Sequence, residues 1–161
     1  WRRGLLFGMR EGFDMNQINL RHILKNLYTG GHLSLKEADE SFLIFINTTN
    51  ADTYVIPGKV QMWLNINDVG EDAAVLQSIN WDLMNTVAEV IRPFWGSEKH
   101  KILIHCAGGN NRSAFTVAYV LNRLEGLPVL EGYTLCEKGG SEPQERFKNE
   151  LRKKLEGNFN V

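Results

Sequence analysis

Two cysteines, four prolines, no long apolar run and a net charge of −1 set the first bounds on this 161-residue chain. Two cysteines cannot build a disulfide framework, which removes the small stapled secreted scaffolds and favours a reducing, intracellular setting, cytoplasmic or nuclear. The longest apolar run, Phe42 to Ile46, is far too short to cross a bilayer, so no membrane partner is expected. A secretory hydrophobic segment with a cleavage site is also missing. The chain opens on Trp1 rather than Met, which implies a trimmed N-terminus. With charge so nearly balanced, no fold-wide basic surface for nucleic acid is expected, while a local anion pocket remains open. The four histidines, at 22, 32, 100 and 105, show no metal-ligand spacing, and neither metal nor cofactor is expected. There is no internal repeat and no low-complexity tract.

What remains is an ordinary globular composition, 43% hydrophobic and 23% charged, in a chain long enough for one well-filled core. We read it as a single catalytic domain over residues 1–161 with the first ~20 residues peripheral. Ile23 to Tyr28 reads as a strand closed by a turn at Thr29-Gly30-Gly31, and Ser34 as the N-cap of a short helix to about Glu40, with Glu37 at the capping-box position. Ser41 to Thr48 reads as a buried strand, Asp52 to Ile56 as a short edge strand, and Val60 to Ile66 as a strand leading into a polar loop at 67–72. Leu76, Ile79, Leu83, Val87, Val90 and Ile91 fall on one face of a long helix, closed by Pro93 and Gly96. Lys101 to His105 has the continuous apolar centre of a strand inside a parallel sheet. Arg112 to about Leu124 is apolar nearly all round, as a buried helix would be. Phe147, Leu151 and Leu155 mark a last helix, started by Ser141 and Pro143. Strands alternating with helices predict an α/β fold, a central, mostly parallel sheet flanked by helices, with ligands at the carboxyl ends of the strands.

The most informative segment lies at such an end: His105-Cys106-Ala107-Gly108-Gly109-Asn110-Asn111-Arg112-Ser113. A cysteine ends a buried strand, small and polar residues turn, and an arginine opens a buried helix. The helix start offers unpaired N–H groups and the positive end of the dipole, a natural anion site. The two glycines let successive N–H groups curl inward as a nest. Arg112 can grip two oxygens of one phosphate in a fork, which a lysine cannot. The same field favours thiolate over thiol, and the thiolate is the nucleophile. A nucleophile inside an anion cradle implies phosphoryl transfer through a phosphocysteine. A chance match to this pattern is expected in roughly one chain of this length in 10⁵.

HCAGGNNRS matches the HCxxGxxR[ST] signature, and from about Ile23 to Leu155 the chain resembles the atypical, single-domain dual-specificity phosphatases of the protein tyrosine phosphatase superfamily. Ile23 to Gly30 is similar to that family's opening strand and turn, Phe42 to Thr49 to its next core strand, and Phe147 to Leu151 to its closing helix. The resemblance implies Cys106 as nucleophile and Arg112 as phosphate clamp. Ala107, Gly108, Gly109, Asn110 and Asn111 would line the substrate, with phosphate, sulfate or vanadate binding there too. Ser113 would stabilise the departing thiolate, and His105 would hold the loop without acting as a base. It further implies phosphorylated protein substrates, phosphotyrosine together with phosphoserine and phosphothreonine.

Expulsion of an alkoxide or phenoxide benefits from a proton donor. The family draws it from a loop after a core strand, which points to Asp68 after Leu64-Asn65-Ile66-Asn67, with Glu71 and Asp72 as neighbouring alternatives. Asn111 stands where these phosphatases often carry serine and resembles the RNA 5′-phosphatase branch, whose anhydride substrates hardly need an acid. The neutral residues at 107–111 disfavour the inositol-lipid phosphatases, which place lysines there. A pseudophosphatase, which binds phosphoproteins without turnover, would ordinarily have lost the cysteine or the arginine. The charged face of the last helix (Glu145, Lys148, Arg152) reads as a solvated surface. Cys136 reads as a core cysteine, with a protective disulfide to Cys106 as the alternative.

Overall fold

The computed structural model describes residues 6–7, 20–49, 54–67 and 78–157. Five strands form one sheet: β2 (Arg21–Leu24), β3 (Leu27–Gly30), β4 (Phe42–Asn47), β6 (Val60–Trp63) and β7 (Lys101–His105). Their order across the sheet is β2-β3-β7-β4-β6, with β2 antiparallel to β3 and the other pairings parallel. A separate two-stranded pairing joins β1 (Leu6–Phe7) to β5 (Tyr54–Val55). The helices are α1 (Ser34–Glu37), α2 (Trp81–Ile91), α3 (Arg112–Glu125), α4 (Val129–Lys138) and α5 (Glu145–Glu156). This is the mixed, mostly parallel α/β sheet the sequence predicts.

β7 lies at the centre, hydrogen-bonded on both sides, and its side chains feed two cores by the two-residue strand period. Ile102 and Ile104 face the larger core with the helices, and Leu103 faces the smaller one with Leu35, Phe42, Phe45, Tyr54 and Ile56. Phe42 and Phe45 differ in parity yet share that smaller core; the ladder to β7 slips between Phe42 and Ile44, which turns both rings to one face. α3 packs against the larger core so closely that every residue from Ser113 to Leu121 is buried. Gly126, at φ +67°, ends it in the left-handed conformation, its N–H bonded to Asn122 O.

Four predicted elements differ in detail. The strand read over Ile23–Tyr28 is a hairpin, β2 and β3, turned at Lys25 and Asn26. Lys25 takes φ +51°, and Thr29 and Gly30 belong to β3. Ser34 lies inside α1 rather than capping it; its hydroxyl donates back to Gly31 O. The helix read from Leu76 starts at Trp81, where the Asn80 side chain caps it by accepting from Leu83 N at 3.0 Å; Leu76 itself lies outside the described residues. The last helix begins at Glu145, and α4 was not anticipated at all.

Candidate active site

β7 ends at His105, and Cys106 follows at the carboxyl edge of the sheet, between the ends of β3 and β4. Neighbouring backbone stitches this edge together. Cys106 N donates to Gly30 O at 3.3 Å, His32 N donates to Ala107 O at 3.0 Å, and Thr48 N donates to His105 O at 2.9 Å. The Thr48 hydroxyl gives the same carbonyl a second bond at 2.9 Å. The loop then turns through Gly109 at φ +80°, a conformation that glycine adopts without strain. It enters α3 at Arg112.

Cys106 is 3% exposed, and Ser113 and His105 are fully buried. The Gly109 N–H donates to Cys106 Sγ at 3.1 Å, and Ser113 Oγ lies 3.3 Å from the same sulfur. Among the described residues the sulfur thus meets a backbone amide of the loop and a hydroxyl in the first turn of α3. Arg112 donates from Nη1 to Ile66 O at 3.4 Å, which ties the helix start to the chain leaving β6. The side chains of Asn110 and Asn111 turn to the segment before α5: Asn110 Oδ1 accepts from Glu142 N at 3.4 Å, and Asn111 Oδ1 from Gln144 N at 3.0 Å. Asn111 thus does structural work at the position where serine is common in the resembled family.

His105 accepts or donates at two places. Its Nε2 is 2.7 Å from the Tyr54 hydroxyl and its Nδ1 is 3.4 Å from Cys106 O. A neutral imidazole carries one N–H. Placing it on Nδ1 lets it point at the carbonyl while Tyr54 donates to Nε2; the other tautomer would set a lone pair against the carbonyl oxygen. Burial first, and then the charge of nearby His32, bring the His105 pKa down to about 3, so the ring is neutral at physiological pH. Burial pushes the Tyr54 phenol well up, and it remains a donor. Tyr54 is a member of this site that sequence reading placed only in an edge strand.

Cys136 sits in α4, fully buried, with its thiol pushed up to about 12 by burial. Both cysteines are free thiols. Asp68, Glu71 and Asp72 lie outside the described residues. Among the described residues no cluster of three or more His, Cys, Asp or Glu side chains has metal-binding geometry, and no helix is long and apolar enough to cross a membrane.

No family model and no curated protein sequence matches the chain. Solved structures do. Human DUSP28 superposes with a TM-score of 0.66 at 17% identity, covering 85% of this chain and 93% of its own. A mouse putative dual specificity phosphatase complexed with zinc tungstate gives 0.66 at 18% identity, covering 92% of each chain. The chain has the dual-specificity phosphatase fold. The human tyrosine phosphatase-like serine/threonine/tyrosine-interacting protein shares that fold as well, with a TM-score of 0.66 at 17% identity over 85% of this chain and 95% of its own. Fold alone therefore does not separate a phosphatase from a phosphatase-like protein.

Proposed function

We propose that the chain is a cysteine-dependent phosphatase of phosphoproteins, acting on phosphotyrosine and on phosphoserine and phosphothreonine. The observation that carries this reading is the setting of Cys106 Sγ, 3.1 Å from the Gly109 N–H and 3.3 Å from Ser113 Oγ, with Arg112 opening the helix beside it. In the reaction, the Cys106 thiolate attacks phosphorus. The S–P bond forms as the ester P–O bond breaks, and Asp68 protonates the departing oxygen. Water then attacks the phosphocysteine. Asp68 takes a proton from that water, the S–P bond breaks, inorganic phosphate leaves, and Ser113 steadies the returning thiolate. Arg112 and the amides of residues 107–111 hold the phosphoryl oxygens throughout, and neutral His105 holds the loop. The bond from Arg112 to Ile66 O supports Asp68 as the acid, because the chain toward residue 68 starts out beside the arginine. The presence of both Cys106 and Arg112 favours turnover over mere phosphoprotein binding.

The test is hydrolysis of an aryl phosphate by the wild type, Cys106→Ser and Asp68→Asn, with EDTA present and vanadate as inhibitor. We expect vanadate-sensitive turnover that survives EDTA, vanishes in Cys106→Ser and falls about 10²-fold or more in Asp68→Asn. A near-normal Asp68→Asn moves the acid to Asp72. A wild type without turnover that still binds phosphopeptides would be the pseudophosphatase instead.

A further inference from the structure

Arg21 belongs to β2, far in sequence from residues 105–113, yet its side chain reaches the underside of that loop. Arg21 Nη2 donates to Ser141 Oγ at 2.7 Å, and Ser141 Oγ donates to Gly109 O at 2.7 Å. The other face of the Gly109 residue holds the sulfur, through its N–H at 3.1 Å. Three groups thus run in series from a guanidinium to the nucleophile. The chain around Arg21 is shaped to admit it: a Cβ added to Gly139 would overlap Arg21 Nε and lie 2.6 Å from its Cδ. Ser141 is itself anchored by its N–H to Cys136 O at 3.1 Å.

The guanidinium is incompletely matched where it lies. Nε and Nη1 are buried with no hydrogen-bond partner among the described residues, and no carboxylate among them pairs with it. Burial lowers its pKa, while the two cysteines at 136 and 106 act on it in the opposite sense. A half-buried cation without a counter-carboxylate is costly unless negative charge arises near it. The Cys136 thiol, pushed up to about 12, does not supply that charge near neutral pH. Negative charge at the Cys106 loop, as thiolate or as bound phosphoryl group, would.

We propose that Arg21 is a second positioning arginine of this site, fixing Gly109, whose N–H meets Cys106 Sγ, through Ser141 and setting its uncompensated charge beneath the loop. The inference rests on the phosphatase reading for its consequence in turnover, but not for its effect on the thiol. Among the described residues, the titratable and charged groups around the loop are Arg21 from β2, His32 from the turn before α1, Tyr54 against His105, His105 itself, Arg112 at the start of α3, Cys136 from α4, and Glu142, whose backbone N–H meets Asn110. His105 and Cys136 do not change charge between pH 5 and 9, so they do not confuse a profile taken there.

The experiment follows alkylation of Cys106 by iodoacetamide against pH, read by mass spectrometry of the Cys106 peptide, with Cys106→Ser as the blank. Steady-state hydrolysis of an aryl phosphate is measured in parallel. Arg21→Met should move the alkylation midpoint upward by about 0.5–1 pH unit and lower kcat about tenfold with KM nearly unchanged. Arg21→Lys should keep the midpoint near wild type while losing rate, since it keeps charge but not the fork. Arg21→Met that melts like the wild type and shows the wild-type midpoint and kcat overturns the proposal. Should that variant not fold, Ser141→Ala decides: a fall in kcat of about fivefold is expected, and wild-type values in both readouts overturn it. A wild type whose Cys106 alkylates like a free thiol and that hydrolyses nothing would instead sink the phosphatase reading itself.

Discussion

Burial brings the His105 imidazole down to about 3, whereas in an unfolded chain it titrates near 6.5. Between those values the unfolded state holds a proton that the folded state refuses, so stability falls as pH falls from about 6.5 toward 3. The loss approaches about 1.4 kcal/mol per pH unit below 6 for this one residue. Urea unfolding at pH 7 and pH 5 checks it, and His105→Asn should show a shallower dependence; equal slopes would remove His105 as the cause. Cys136, with its thiol pushed up to about 12, should resist iodoacetamide in the native protein at pH 7.5 and react in 6 M urea, a contrast that peptide mapping resolves. Modification of native Cys136 at the rate of Cys106 would contradict its burial. At this scale the sequence was legible where chemistry is local. His105, Cys106, Arg112 and Ser113 announce themselves within one loop. The tie from Arg21 to Ser141, 120 residues apart, and that from Tyr54 to His105, 51 residues apart, carry no local sign.

Helices are readable from where their apolar residues fall: α2 and α5 from a single apolar stripe, and α3 from being apolar nearly all round, in keeping with its burial from Ser113 to Leu121. α4 was passed over because Gly126, Pro128 and Gly132 look like loop punctuation, although Val129, Gly132, Tyr133 and Cys136 are its buried stripe. The glycine is there for contact between helices. A Cβ on Gly132 would sit 3.0 Å from Ala118 Cα in α3, a backbone atom that cannot swing away. Gly132→Ala should therefore destabilise by about 1–3 kcal/mol, against the gain of up to about 1 kcal/mol that helix propensity alone predicts. Denaturant midpoints give the sign directly, and a more stable variant would mean the two helices have room to separate. The hairpin of β2 and β3 was read as one strand for a related reason. Its turn places Lys25 at φ +51° with no glycine to mark it, and Asn26 fastens it by donating to Phe94 O and His100 O at 2.8 and 2.7 Å. Those partners come from a distant part of the chain.

For the molecule as a whole, the oxyanion site proposed at residues 106–112 should couple binding to stability. Vanadate or phosphate at 100 times its dissociation constant adds about 2.7 kcal/mol, which for a chain of this size raises Tm by several degrees. Arg112→Ala should abolish the rise in differential scanning calorimetry, and an undiminished rise would place the anion elsewhere. The central parallel sheet was legible from the alternation of strands and helices. The order of its strands was not, since β7, from residues 101–105, inserts between β3 and β4, which follow one another in the chain. The 141–144 segment has a consequence for the timing of synthesis. Ser141 bonds to Gly109 O and Gln144 N to Asn111 Oδ1, so the loop that carries Cys106 is fastened by residues made some thirty positions after it. A nascent chain that has exposed β7 and α3 but not this segment holds Cys106 in an unbraced loop. On the ribosome, where a domain folds as a unit, the bracing of this loop waits for residues 141–144, and a message truncated before Ser141 yields a protein with Cys106 and Arg112 but without the bonds that fasten the loop between them.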